Sequence, residues 1–253
     1  MPFGQFGLHP DLLRGVREMG FTRPTPIQTD AIPPAMQGRD VLARVLHGAR
    51  VSLAVGLVSQ GIALALGLAL GLAAGYYGRW VDAAVMRLAD VTLAFPPLLL
   101  LVAIAAAVRP SLPIVLLVIG LVGWAGMARV ARGQALVVRA LDYVQAARAL
   151  GGRDLRIVLR HVAPNVLGPV AVAATLGVGA AIMAEAALSF VGLGAQPPTP
   201  SWGAMVAEGR DLLRTAPWVS LFPGLAIGVV VLAVNLVGDG LQDALDVRAL
   251  RPS

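Results

Sequence analysis

The stretch VSLAVGLVSQGIALALGLALGLAAGYYG, residues 51–78, runs from Arg50 to Arg79 without one charged side chain. A helix needs about 20 apolar residues to cross the hydrocarbon core of a bilayer, so this segment is long enough to span one. Four more runs are bounded in the same way. They are VTLAFPPLLLLVAIAAAV between Asp90 and Arg109, PSLPIVLLVIGLVGWAGMA between Arg109 and Arg129, VAPNVLGPVAVAATLGVGAAIMA between His161 and Glu185, and TAPWVSLFPGLAIGVVVLAVNLVG between Arg214 and Asp239. Together they predict an all-α, polytopic membrane bundle of about five transmembrane helices. Continuous apolar runs, with no alternation, argue against a membrane β-barrel.

Composition points the same way. Of 253 residues, 57% are hydrophobic and only 13% charged, with a mean hydropathy of +0.78. That charge is about half of the roughly 25% typical of a soluble domain. There is no cysteine, which excludes disulfides, thiolate nucleophiles and cysteine-ligated metals. His9, His47 and His161 have no ligand spacing, so neither a metal nor another cofactor is expected. The formal charge is +6 and every basic residue is arginine. In so apolar a chain these arginines read as anchors of cytoplasmic loops, and no nucleic-acid partner is expected.

Within the runs, Pro96 and Pro97 should kink a helix or begin one, and Pro110 and Pro113 should mark a tight turn before the next. Gly56, Gly61, Gly67, Gly71, Gly177 and Gly179 suit close helix packing within one bundle. Arginine placement sets orientation. Arg79 and Arg87, the seven arginines from Arg129 to Arg160, and Arg248 with Arg251 fall on one side; Arg109, Arg210 and Arg214 fall on the other. The positive-inside rule puts the first group in the cytoplasm. Residues 1–50 break the pattern, because five spans would place Arg14, Arg17, Arg23, Arg39, Arg44 and Arg50 outside. Nothing in that segment is apolar enough for another span, and no signal-peptide h-region follows the start.

The segment 129–165 is the one long arginine-rich connection. Leu136, Ala140, Val144 and Ala147 recur on one helical face, with Arg139, Asp142, Gln145 and Arg148 opposite. Gly151-Gly152 should stop that helix with positive φ. Asp154 should cap a second helix, Leu155–Val162, ending before Pro164. From the residues alone this helix–turn–helix fits a phospholipid-contacting surface element. Glu185 is the one carboxylate between long apolar runs; it marks a translocation path or an internal pair, or else an outer helix end facing water. Asp82, Asp90, Asp239, Asp243 and Asp246 read as helix-end and tail charges. The outer loop Gly194–Trp218, stiffened by QPPTPSW and carrying tryptophans, reads as interfacial.

Residues 38–253 resemble the shorter, C-type inner-membrane permease subunit of dipeptide, oligopeptide and nickel ABC importers. The resemblance is carried by GRDVLARVLHGARVSLAVGL (Gly38–Leu57), AGYYGRWVDAAVMRLADVTLAFPPLLL (Ala74–Leu100), DYVQAARALGGRDLRIVLRHVAPN (Asp142–Asn165), AEAALSFVGLGAQPPTPSWGAMVAEGR (Ala184–Arg210) and NLVGDGLQDALDVR (Asn235–Arg248). It implies a bacterial inner-membrane transport subunit that is not itself an enzyme. Its implied partners are a second permease subunit in a heterodimer, two cytoplasmic ABC ATPases, an extracytoplasmic solute-binding protein and membrane lipid. It also implies that the 129–165 segment carries the EAA loop that docks on an ATPase, with its motif on Gln145, Ala146, Ala147, Gly151 and Pro164. The family's usual acid stands here as Gln145. Such permeases have six helices, so the first is expected to be missing, which matches the arginine conflict.

Residues 1–42 resemble something else, the Q motif of a DEAD-box RNA helicase, most clearly in GFTRPTPIQ (Gly20–Gln28). In such helicases the glutamine matching Gln28 reads the adenine edge, a use of its paired donor and acceptor. No phosphate-binding loop with its lysine follows, so Gln28 is at most a vestige of a site. The string GRDVL, Gly38–Leu42, fits both patterns, so residues 1–37 are expected to be a segment foreign to the permease at 38–253, joined at that string; the alternative is a small soluble cap with helix–turn–helix character evolved onto a permease. The expected function is passage of dipeptides or oligopeptides driven by partner ATPases. The rival readings are a helicase-related RNA-binding fragment and an ion-coupled secondary transporter.

Overall fold

The computed structural model describes residues 3–8, 10–108, 111–196 and 199–245; the side chains at 11, 12, 26–28 and 30–40 lie outside that description. Among the described residues all regular structure is helical: α1 (Pro10–Glu18), α2 (Pro26–Tyr77), α3 (Arg79–Ala94), α4 (Pro97–Ala107), α5 (Leu112–Arg139), α6 (Asp142–Ala149), α7 (Asp154–Ile157), α8 (Ala163–Phe190), α9 (Trp202–Gly209) and α10 (Trp218–Leu245). Four stretches are long and apolar enough to cross a membrane: Val41–Tyr77, Leu112–Arg139, Asp154–Phe190 and Trp218–Leu245. The expected span between Asp90 and Arg109 is not straight. It belongs to the pair α3 and α4, which meet at 88°. Proline disfavours helical geometry in the residue before it; Phe95 is accordingly extended (φ −89°, ψ 139°), and α4 restarts at Pro97.

The bundle is organised by α2 against α5, and glycine makes that contact possible. A Cβ on Gly67 would stand 2.4 Å from Met127 Cβ, one on Gly71 would stand 2.5 Å from Ala128 O, and one on Gly75 would stand 2.6 Å from Ala135 Cβ. Spaced four apart, these three lie on one face and bring the two backbones together. Gly56 packs in the same way on Val178 and Ile182 of α8, whereas Gly61 meets nothing within 4 Å. Asp82, in the first turn of α3 as expected of a helix-end charge, and Asp90 also tie α3 to α5. Arg132 donates to Asp82 through Nε and Nη2 at 2.5 and 2.6 Å, and Arg129 donates to Asp90 at 2.6 Å.

Two expectations for the 129–165 segment are corrected. The anticipated single helix is broken at Ala140–Leu141, so Leu136 and Arg139 belong to the end of α5 while Val144 to Arg148 belong to α6. Nor does the second helix end before Pro164. It opens into a π-helical turn, Val158–Val162, in which Ala163 N–H reaches Val158 O, and then continues as α8. A mid-helix proline removes one amide donor and crowds the preceding turn; the widened turn absorbs that insult. Asp154 does not cap its helix either, since no side-chain cap bond forms there.

The ends of the bundle are chemically distinct. The arginine-rich end gathers the C-termini of α2 and α5 with α6 and α7. At the opposite end the early part of α2 meets the α9 region: Arg44 pairs with Glu208, and Trp202 Nε1 donates to Val45 O at 2.9 Å. Arg44, near the start of the Val41–Tyr77 span, therefore shares an end with the outer loop. Helix α2 crosses residues 37 and 38 without a backbone break.

Candidate functional site

The arginine-rich end is built on Tyr76, buried at the last turn of α2. Its hydroxyl donates to Asp154 Oδ1 at 2.7 Å, and the Arg148 guanidinium lies 5.0 Å from its ring centroid. A side-chain hydrogen bond with Tyr76 raises the Arg148 pKa above its ordinary value against the lowering effect of burial. Arg139 Nη1 donates to the terminal carbonyls Gly75 O (2.8 Å) and Tyr76 O (3.1 Å). A cation at a helix C-terminus is favourable on both hydrogen-bonding and dipole grounds. These contacts seat α6 and α7 under α2 and border an open pocket of about 670 Å³ lined by Tyr77, Arg79, Arg139, Gln145, Arg148 and Asp154.

The residues matched to the EAA motif fall around this node. Gln145 is exposed, and its Nε2 donates to Arg139 O at 2.7 Å, closing the end of α5. Ala146 faces outward, while Ala147 packs inward beside buried Val144. Gly151 has φ +79° and terminates α6: Gly152 N–H reaches Ala147 O and Gly151 N–H reaches Arg148 O, the paired bonds of a Schellman stop. Pro164 comes only after α7 and the π turn, in the first turn of α8. Sequence reasoning missed Leu150, Leu155 and Leu159, which are exposed by 88%, 65% and 62%. An apolar ladder in an otherwise charged segment was the available signal, and it marks a surface built to be covered. It also missed Tyr76, whose partners lie more than 70 positions away.

Glu185 lies near the other end of α8 and is fully buried, so it does not face water. Ser189 Oγ and Ser201 Oγ both donate to its Oε1, at 2.6 and 2.7 Å. Ser201 also accepts from Ala204 N at 3.1 Å as the N-cap of α9, and the next amide, Trp202 N–H, donates to buried Ser52 on α2 at 3.1 Å. Glu185 thereby fastens the outer helix α9 to α8, while Ser52 ties it to α2. Gly203 permits this approach, since a Cβ there would stand 2.5 Å from Ala186 Cα. Among the described residues, two buried side-chain polar atoms have no hydrogen-bond partner, Glu185 Oε2 and Gln60 Nε2. Gln28 lies on α2, and its side chain is outside the described residues.

Residues 67–251 match the family described as the binding-protein-dependent transport system inner membrane component. The chain is 47% identical over 209 residues to the dipeptide transport system permease protein DppC of Alkalihalophilus pseudofirmus, covering 83% of this chain and 69% of that protein. It is 46% identical over 209 residues to the glutathione transport system permease protein GsiD of Escherichia coli O6:K15:H31, with the same coverage of 83% and 69%. In fold it is similar to an inward-facing MetNI methionine ABC transporter, with a TM-score of 0.66 at 20% identity over 80% of this chain and 96% of that one. It is also similar to an amino acid ABC transporter crystallised with histidines, with a TM-score of 0.59 at 15% identity over 84% and 97%.

Proposed function

Because the chain belongs to the family of binding-protein-dependent transport system inner membrane components, we propose that it passes dipeptides and other short peptides across the bacterial inner membrane. It is a multi-pass permease subunit of an ABC importer. In the proposed assembly it forms half of a heterodimeric pore with a second permease, receives solute from an extracytoplasmic binding protein, and takes its energy from two cytoplasmic ATPases. The peptide reading is supported by the names of its relatives, which transport dipeptides and glutathione.

The observation that carries the mechanism is the unbroken helix from Asp154 through the π turn into α8. One end of this rod is hydrogen-bonded to Tyr76 beneath the bundle, and the other holds Glu185 at the outer loop. An ATPase that grips the exposed face of α6 and the leucine ladder moves the base of a rigid lever. Two docking states then bias two pore states. The residues assigned to this coupling are Gln145, Ala146, Ala147, Gly151 and Pro164. Residues 1–37 are assigned to a foreign segment fused at Gly38–Leu42, on the strength of their Q-motif-like string. A sequencing read across that join, in phase with neighbouring ATPase and binding-protein genes, tests the fusion.

The function is tested in proteoliposomes holding this chain with its neighbouring permease, ATPases and binding protein. Uptake of labelled alanyl-alanine that requires both ATP and the binding protein is the expected result. Uptake driven by an ion gradient without ATP would overturn it.

A further inference from the structure

Halfway along the Val41–Tyr77 span, Gln60 places an amide among apolar side chains. It is 9% exposed, and its Nε2 has no hydrogen-bond partner. An amide donor removed from water and left unmatched is costly, and chains under no other demand fill such a position with an apolar residue. The neighbouring hydroxyl behaves conventionally, since Ser59 Oγ donates to Leu116 O at 2.9 Å. The fold also makes room for the amide. A Cβ on Gly177 would stand 2.3 Å from Gln60 Oε1 and 2.6 Å from Nε2, so the flat amide rests on the bare backbone of α8.

Gln60 lines a groove of about 440 Å³ where α2, α4, α5 and α8 converge, with Leu101, Ile119, Met127, Gly177 and Ala181 in its wall. That volume is within the usual range for a small-molecule site. No charged residue lines the groove, and the Gln60 amide is its one uncommitted donor among buried side chains. The groove lies between the two ends of the bundle, its wall running from Leu101 to Val130. We propose that Gln60 Nε2 is a hydrogen-bond donor to main-chain carbonyls of the peptide as it moves through this groove, making Gln60 a specificity-determining residue of the path. This rests on the reading of the chain as a peptide permease. A single neutral hydrogen bond suits the task, because conduction requires contacts firm enough to admit a solute and weak enough to release it. The apolar wall accepts differing side chains while the amide reads the carbonyl that all peptides share.

The test uses the assembled importer in proteoliposomes and alanyl-alanine as the probe. Gln60→Leu keeps the size and removes the donor. It should lower uptake about fivefold to tenfold, the scale of one hydrogen bond, while ATP hydrolysis and recovery of the complex stay within twofold. Gly177→Ala, which displaces the amide, should lower uptake similarly, and the double variant should lose no more than either alone. The chain has no cysteine of its own, so Gln60→Cys introduces one readable thiol. It should react with a membrane-impermeant methanethiosulfonate and be protected by alanyl-alanine, a readout that needs no turnover. Uptake by Gln60→Leu within twofold of wild type, or a thiol at position 60 unreactive in resting and cycling complexes, overturns the assignment while leaving a peptide permease intact. Failure of the wild-type complex to take up alanyl-alanine overturns the peptide reading and the Gln60 assignment with it.

Discussion

Tyr76 donates its hydroxyl proton to Asp154 at 2.7 Å, joining the last turn of one membrane span to the first turn of another across 78 positions of sequence. The bond fixes the height at which the Asp154–Phe190 rod meets the bundle. Tyr76→Phe keeps the ring under Arg148 and deletes the hydroxyl's interactions with Asp154 and Arg148. It should cost about 1 kcal/mol of stability, read as a lower melting temperature in detergent, and should reduce peptide taken up per ATP hydrolysed. An unchanged ratio would detach the Tyr76 node from coupling.

Gly151 ends α6 with φ +79° and has nothing within 4 Å of a prospective Cβ. Its constraint is therefore backbone conformation and not space. The left-handed region costs an L-residue about 1–2 kcal/mol, more for a β-branched one. Gly151→Val should leave ATP hydrolysis running while uptake falls, Gly151→Asn should come close to wild type, and normal uptake by Gly151→Val would count against the lever.

Glu185 Oε1 receives two serine hydroxyls in a buried site. Glu185→Leu leaves Ser189 and Ser201 without their acceptor, an expected loss of about 2–4 kcal/mol. Ser201→Ala removes one donor and the α9 cap together and should cost about 1–2 kcal/mol. Both should make the outer loop more open to protease in right-side-out vesicles. Equal protease resistance would show that α9 is held by other contacts.

Gly71 and Gly61 lie on the same helix and have opposite surroundings. A Cβ at Gly71 would press on Ala128 O at 2.5 Å, and at Gly61 it would meet open space. Gly71→Val should abolish accumulation of the protein in membranes. Gly61→Ala should be neutral or slightly stabilising, by up to about 1 kcal/mol from helix propensity. Matching expression of the two variants would refute the close α2–α5 contact.

The parts of this fold that were legible in sequence are those written in local chemistry. Charge-free runs disclosed the spans, Pro96-Pro97 disclosed the break after Ala94, and Gly151 disclosed the stop of α6. What stayed hidden depended on partners remote in sequence. Pro164 reads as a helix end, yet a π turn carries the helix through it. Asp154 reads as a cap because nothing local reveals Tyr76. Glu185 was visible as an oddity, but the serines that hold it, one of them 16 positions away, were not. Gln60 passes unnoticed in an apolar run until its neighbours are known.

The glycine ladder of α2 has a mechanical implication. Helices separated by side chains can slide, because rotamers exchange and the contact re-forms one notch along. Where Gly67, Gly71 and Gly75 meet the backbone and small residues of α5, there is nothing to exchange, and any slip drives main chain into main chain. The two helices form one stiff strut, and conformational cycling is left to the joints around it: the right-angle bend before α4 and the proline inside α10.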